Sequence, residues 1–297
     1  MSVAFNDETD GQDPDRRAQR QTNSMQRARA REARWSNNRL AVPYPTDGPK
    51  VTLGVLWFLL LIGAVLLGSY FEEPVISSVA IAGVAAPVAG LAGLQIGNAW
   101  FPSQPATRGW VAAAAYLTAI SGFYGGWGVL VGIAIGLIVL VFYLVLYRGH
   151  RRTALQLLDV LVRSALPVGV AVASLAALGS VGAGAQISLI LLVSAYEAGD
   201  FIVGSGSSNA VEGPLAGLVA LGAVTFLLFL ILPAPFDATS ILLFAALAAI
   251  CCPLGQILAS GLLPRGNAWA PGLRRLDSYL LVAPIWLILV SQLPTIS

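Results

Sequence analysis

Glu197 and Asp200 stand three residues apart in Ser194-Ala-Tyr-Glu-Ala-Gly-Asp-Phe-Ile-Val-Gly204, inside a long apolar stretch. That spacing brings both carboxylates to one face of a helix. Ionisable groups at membrane depth are costly, so each marks a candidate site. The stretch holds no basic residue, so the pair calls for water, a metal ion or an Arg from elsewhere. Two close carboxylates suit Mg²⁺, a hard cation that takes oxygen ligands. The plainer alternative is that both face a polar boundary of the membrane.

Two further segments carry polar chemistry. The loop Gly204-Ser-Gly-Ser-Ser-Asn-Ala-Val-Glu-Gly-Pro214 contains Ser208 and Glu212. Its small residues leave backbone N–H groups open, which serves a phosphate or a tight turn equally. Glu212 precedes an apolar run and is placed to complement the positive end of a helix. The last polar stretch, Leu263-Pro-Arg-Gly-Asn-Ala-Trp-Ala-Pro-Gly-Leu-Arg-Arg-Leu-Asp-Ser278, offers Arg265, Arg274, Arg275 and Asp277. Guanidinium forks bind phosphate oxygens in pairs. A plain positive loop explains the Arg residues but not the adjoining Asp277-Ser278. Asp159 and Arg163, four apart, are expected to pair and close a helix end.

Other reactive residues are few. Cys251 and Cys252 are adjacent on a helical pattern and point about 100° apart, so they read as apolar packing. With no further Cys there is no disulfide framework or zinc site. His150, the one His, sits in a basic loop and reads as solvated. No Walker or dinucleotide motif is present.

The elements that must position these groups follow from composition. Of 297 residues, 57% are hydrophobic and 11% charged, and mean hydropathy is +0.76. A soluble domain carries about 25% charged residues. A cytosolic enzyme, a disordered chain and a nucleic-acid binder are thereby excluded. The bilayer is the expected partner, with no nucleic acid.

Residues 1–50 hold nine of the 17 basic residues and no apolar run. They read as a disordered, Arg-rich cytoplasmic tail. No short apolar run follows a basic start, so a cleaved secretory signal is not expected. Arg27, Arg29, Arg31 and Arg34 could lie on anionic lipid, or simply fix topology.

Residues 51–297 read as a transmembrane domain: an all-α, polytopic helix bundle of about nine spans. The expected spans are Val51–Phe71, Val75–Ile96, Trp110–Trp127, Val129–Tyr147, Leu157–Leu178, Ala185–Gly204, Leu215–Leu232, Ala238–Leu263 and Ser278–Leu293. Gly122, Gly125, Gly126 and Gly128 mark the turn between the third and fourth. With the N-terminus inside an inner (cell) membrane, nine crossings place Arg108, Arg148, Arg151, Arg152, Arg265, Arg274 and Arg275 on the cytoplasmic side. The outer loops then hold Glu72, Glu73 and Asp237. Gly128, Gly132 and Gly136, like Gly93 and Gly97, recur every fourth residue and favour close packing inside the bundle over a homodimer face.

In order and type, these segments of the C-terminal half resemble the phosphatidate cytidylyltransferase (CDP-diacylglycerol synthase) family over about residues 190–290. Glu197-Ala-Gly199-Asp200-Phe201-Ile-Val-Gly204 is similar to its Asp-x-Gly-Ala-Tyr helix end. Gly206-Ser-Ser-Asn-Ala-Val-Glu212-Gly213 is similar to its Ser-Pro-Lys-Lys-Thr-x-Glu-Gly loop. Gly255-Gln-Ile-Leu-Ala-Ser260 and Pro271-Gly-Leu-Arg-Arg275-Leu-Asp277-Ser278 are similar to its closing signature. The chain departs from the family where paired lysines give way to Ser208 and Asn209. It departs again where an acid gives way to Gln256, and where an Asp-Arg pair becomes Arg274-Arg275.

The resemblance implies transfer of CMP from CTP to phosphatidate with release of pyrophosphate, a transferase step of phospholipid biosynthesis. It implies Asp277, Arg275 and Glu212 as catalytic residues. Ser260 is implied as substrate-binding. To compensate for the departures, Arg265 and Arg274 are expected to replace the lost lysines beside Ser208 in binding substrate, and Glu197, Asp200 and Asp277 to form a rebuilt Mg²⁺ site. The alternatives are a non-catalytic relative that binds lipid or partners and a transporter, against which the absence of an internal repeat in the sequence argues.

Overall fold

The computed structural model describes residues 49–71, 73–147, 151–205, 211–266 and 268–293. Except for Pro49 and Lys50, the expected tail lies outside them, as do Arg148 and His150. Among the described residues there are nine α-helices and no strand. In chain order they are α1 (Pro49–Tyr70), α2 (Pro74–Trp100), α3 (Pro105–Ile120), α4 (Gly126–Leu146) and α5 (Arg151–Ala177), then α6 (Ala183–Gly204), α7 (Glu212–Ile231), α8 (Ala238–Gly261) and α9 (Tyr279–Val290). Seven of them are long and apolar enough to cross a membrane; α3 with 16 residues and α9 with 12 are shorter.

Local sequence explains the starts. Pro opens α2 and α3, where its missing N–H costs nothing. Asp237 caps α8: its Oδ1 accepts from Ser240 N at 2.6 Å, and Ser240 Oγ accepts from Asp237 N at 2.8 Å. One 3₁₀ turn, Ser121–Tyr124, and Gly125 at φ +74° join α3 to α4, where the glycines predict a turn.

Small side chains let the helices close on one another. In α5, Ala171, Val172, Ala173 and Leu175 to Ala177 are fully buried. A Cβ on Gly132 would run into Thr118 and Ser121 of the α3 region, and one on Gly136 into Thr118. The glycine repeat of α4 is therefore used inside the bundle. Short α9 lies within the core, with Tyr279 and Trp286 buried, and packs on α5 and α8. Large apolar side chains on α1, α4 and α7 face outward, as lipid-facing surfaces require.

Three expected spans are corrected at their ends. The third segment starts five residues earlier, at Pro105, and ends seven earlier, at Ile120, because the glycine turn takes residues 121–125. The fifth starts at Arg151, since charged residues there continue the helix instead of preceding it. The ninth shrinks to Tyr279–Val290 because Ser278 and Ser291 flank it as caps. Asp159 and Arg163 do form an ion pair. It sits exposed within α5, two turns past the start, and does not close a helix end.

Candidate functional site

The polar residues of the C-terminal half meet at one end of the bundle. The last turns of α6 supply Tyr196, Glu197 and Asp200, and the last turns of α8 supply Gln256 and Ser260. The segment 262–278 supplies Arg274, Asp277 and Ser278 before turning into α9. Three tethers fix this segment. Trp100 Nε1 of α2 donates to the Leu262 carbonyl at 2.8 Å. The Gly272 N–H donates to Gln95 Oε1 at 2.9 Å. Arg274 Nη2 donates to the Gly266 carbonyl at 2.7 Å. Gly255 permits the close approach, because a Cβ there would strike the Asp277 carbonyl.

Within the cluster the bonds form a chain. Tyr196 OH donates to Gln256 Oε1 at 3.2 Å, and Gln256 Nε2 donates to Asp200 Oδ2 at 2.9 Å. Ser260 Oγ accepts from Arg274 Nη1 at 3.1 Å. That same nitrogen lies 3.7 Å from Asp277 Oδ2. Asp277 Oδ1 accepts from the Ser278 N–H at 2.8 Å. Ser278 also hydrogen-bonds the Glu197 carboxylate, which lies within electrostatic reach of Asp277, Arg275 and Asp200. Glu197 Oε1 is buried and makes no hydrogen bond. Burial pushes the Asp277 carboxyl up to about 6, against the pull of the Arg274 guanidinium and the Ser278 N–H. Burial lowers Arg274, and Asp277 opposes that shift.

Five expected site residues, Glu197, Asp200, Ser260, Arg274 and Asp277, thus come together. Arg275 is half-buried, with its guanidinium over Gly54 of α1 and within reach of Glu197. Glu212, the first residue of α7, is exposed, and Arg265 is exposed on the 262–278 segment. Neither is among the groups that act most strongly on Glu197 or Asp277. Ser208 lies outside the described residues. Sequence reasoning treats Gln256 only as a substitution and overlooks Tyr196. Four-residue spacing, Tyr196 to Asp200 and Gln256 to Ser260, is the signal that places each on a site-facing stripe.

The donor set can be tested against Mg²⁺. Among the described residues no group of three or more His, Cys, Asp or Glu is arranged to hold a metal ion. Asp200 accepts the Gln256 amide, and the two oxygens of Asp277 face Ser278 and Arg274. A closed three-carboxylate cage does not fit this arrangement. The cluster sets three carboxyls beside two guanidiniums. Compared with known proteins, the chain matches no family model and no curated sequence.

Proposed function

We propose that this chain is a phosphatidate cytidylyltransferase-like protein of the membrane, which transfers CMP from CTP to phosphatidate. A phosphate oxygen of phosphatidate would attack the α-phosphorus of CTP. The bond to the β-phosphate breaks, pyrophosphate leaves, and CDP-diacylglycerol remains in the bilayer. One observation supports the reading: Glu197, Asp200, Ser260, Arg274 and Asp277 converge in one cluster from α6, α8 and the 262–278 segment. Such transfers depend on positioning and charge neutralisation.

In this reading Arg274 and Arg275 neutralise phosphate oxygens, with Ser260, Arg265 and Ser208 toward the substrates. Asp277 and Glu212 hold the reacting groups in place. Mg²⁺ enters as part of the nucleotide substrate. A nucleotide-borne Mg²⁺ needs only one or two protein carboxylates besides phosphates and water. Glu197, with Oε1 unbonded, is the first such carboxylate, and Asp200 and Asp277 follow once their present partners move.

Nine crossings with a cytoplasmic N-terminus in an inner membrane complete the proposal, and a homodimer is its oligomeric option. At 1.5 Å per α-residue and 2.0 Å per 3₁₀ residue, α3 with its 3₁₀ turn reaches about 32 Å, enough to cross.

The test is CTP-dependent formation of CDP-lipid by purified protein with phosphatidate and Mg²⁺. Product is expected, and Asp277→Ala and Glu197→Ala should abolish it. Unchanged turnover in both variants would sink the site assignment.

A second reading, a non-catalytic relative that binds lipid or partners, is favoured by one specific observation. Gln256 and Arg274 already satisfy Asp200 and Asp277 from within. Absence of product together with no thermal shift from CTP and Mg²⁺ would select it.

A further inference from the structure

We propose that the 262–278 segment docks on anionic phospholipid headgroups through Trp269 and Arg265. The segment buries its leucines: Leu262, Leu263, Leu273 and Leu276 are all buried. Trp269 is its one large apolar side chain left exposed, at 78%. Its exposure is built in, because the Trp100, Gln95 and Arg274 bonds pin the segment on both sides. A turn closed by the Ala268 N–H on the Arg265 carbonyl, at 2.9 Å, holds the backbone of exposed Arg265 close to that of exposed Trp269.

The occupant follows from chemistry and charge. An indole with one apolar body and one N–H donor suits the boundary between headgroups and acyl chains. Among the described residues, this end carries Lys50, Arg108, Arg151, Arg152, Arg163, Arg265, Arg274 and Arg275 against Asp159, Glu197, Asp200, Glu212 and Asp277, an excess of three positive charges. The far end carries Glu73 and Asp237 and no described Lys or Arg. An anionic leaflet complements the first end and is repelled by the second. This inference does not depend on cytidyl transfer.

The full chain is reconstituted in vesicles of phosphatidylcholine, with and without phosphatidylglycerol, containing acyl-brominated lipid. The emission of wild type minus Trp269→Phe isolates the Trp269 signal. That signal is expected to be blue-shifted and quenched by bromine, more so with phosphatidylglycerol. Arg265→Gln, at an exposed site, should weaken phosphatidylglycerol binding in detergent about five-fold and leave phosphatidylcholine binding unchanged. A red-shifted, unquenched difference signal would mean that the indole faces water or awaits a protein partner, and would overturn the proposal. Equal phosphatidylglycerol affinity in Arg265→Gln would overturn it as well.

Discussion

The amide of Gln256 donates a 2.9 Å hydrogen bond to Asp200, tying α8 to α6 inside the apolar bundle. The same side chain accepts from Tyr196 OH at 3.2 Å. Gln256→Ala removes one bond from a buried carboxylate and one from a buried phenol. A bond to a charged group is worth about 1.5–3 kcal/mol. Tyr196→Phe removes one neutral bond, and helix-to-helix bonds in membranes average about 0.6 kcal/mol. Thermal unfolding in detergent should therefore show a clear loss for Gln256→Ala and a small one for Tyr196→Phe. Equal losses would mean that the carboxylate draws its support elsewhere.

The raised carboxyl of Asp277 makes stability depend on pH. Glu197 and Asp200 face it from α6, Arg274 from its own segment, and Arg275 stands beside Glu197. Its folded value, about 6, lies above the ordinary carboxylate range near 4. Between those values the folded state holds more protons than the unfolded one, so stability falls as pH rises through the window. The melting temperature should drop from pH 4.5 to 6.5, by an amount worth about 2 kcal/mol at most. Asp277→Asn should flatten that slope. A slope that survives the substitution would assign the titration to Glu197 or another acid.

Much of the fold was legible because apolar runs and glycine turns are local signals. Gly125 sits at the turn it predicts, and Gly132 packs where a four-residue repeat suggests. Start points were harder, since Arg151 and Arg152 look like loop residues yet belong to α5. The union of Glu197 with Asp277 depends on how α6 meets the segment before α9, which is tertiary information. Gln256 was overlooked as a partner because an amide in an apolar run has no charge to flag it. Glu212 and Arg265 illustrate the reverse: a motif position does not fix which way a side chain faces.

Close packing between α3 and α4 gives a paired test. A Cβ on Gly132 would meet Thr118 and Ser121, whereas one on Gly63 of α1 meets nothing within 4 Å. Overpacking a tight contact costs about 1–3 kcal/mol. Replacing a helical Gly by Ala in open space gains up to about 1 kcal/mol. Gly132→Ala should lower the melting temperature and the folded yield, and Gly63→Ala should hold or raise both. If the two variants behave alike, the α3–α4 contact is looser than described.

The number of crossings turns on the two short helices, α3 and α9, and α3's 16 residues reach only about 24 Å at 1.5 Å each. The following 3₁₀ turn, Ser121–Tyr124, runs on in helical geometry and adds about 8 Å. The sum matches a hydrocarbon core of about 30 Å. Gln104 and Tyr124 are both exposed and bracket this element. Cys251 and Cys252 are buried, so single cysteines introduced at 104 and 124 can be read against a low background. In intact cells, Tyr124→Cys should react with an impermeant maleimide, and Gln104→Cys should react only after the membrane is opened. If α3 does not cross, both positions label from the same side. Every described Arg after Arg108 would then change side, with α9 still to place. Charge asymmetry disfavours that result, because it would move Arg265, Arg274 and Arg275 to the outer face and Asp237 to the inner one.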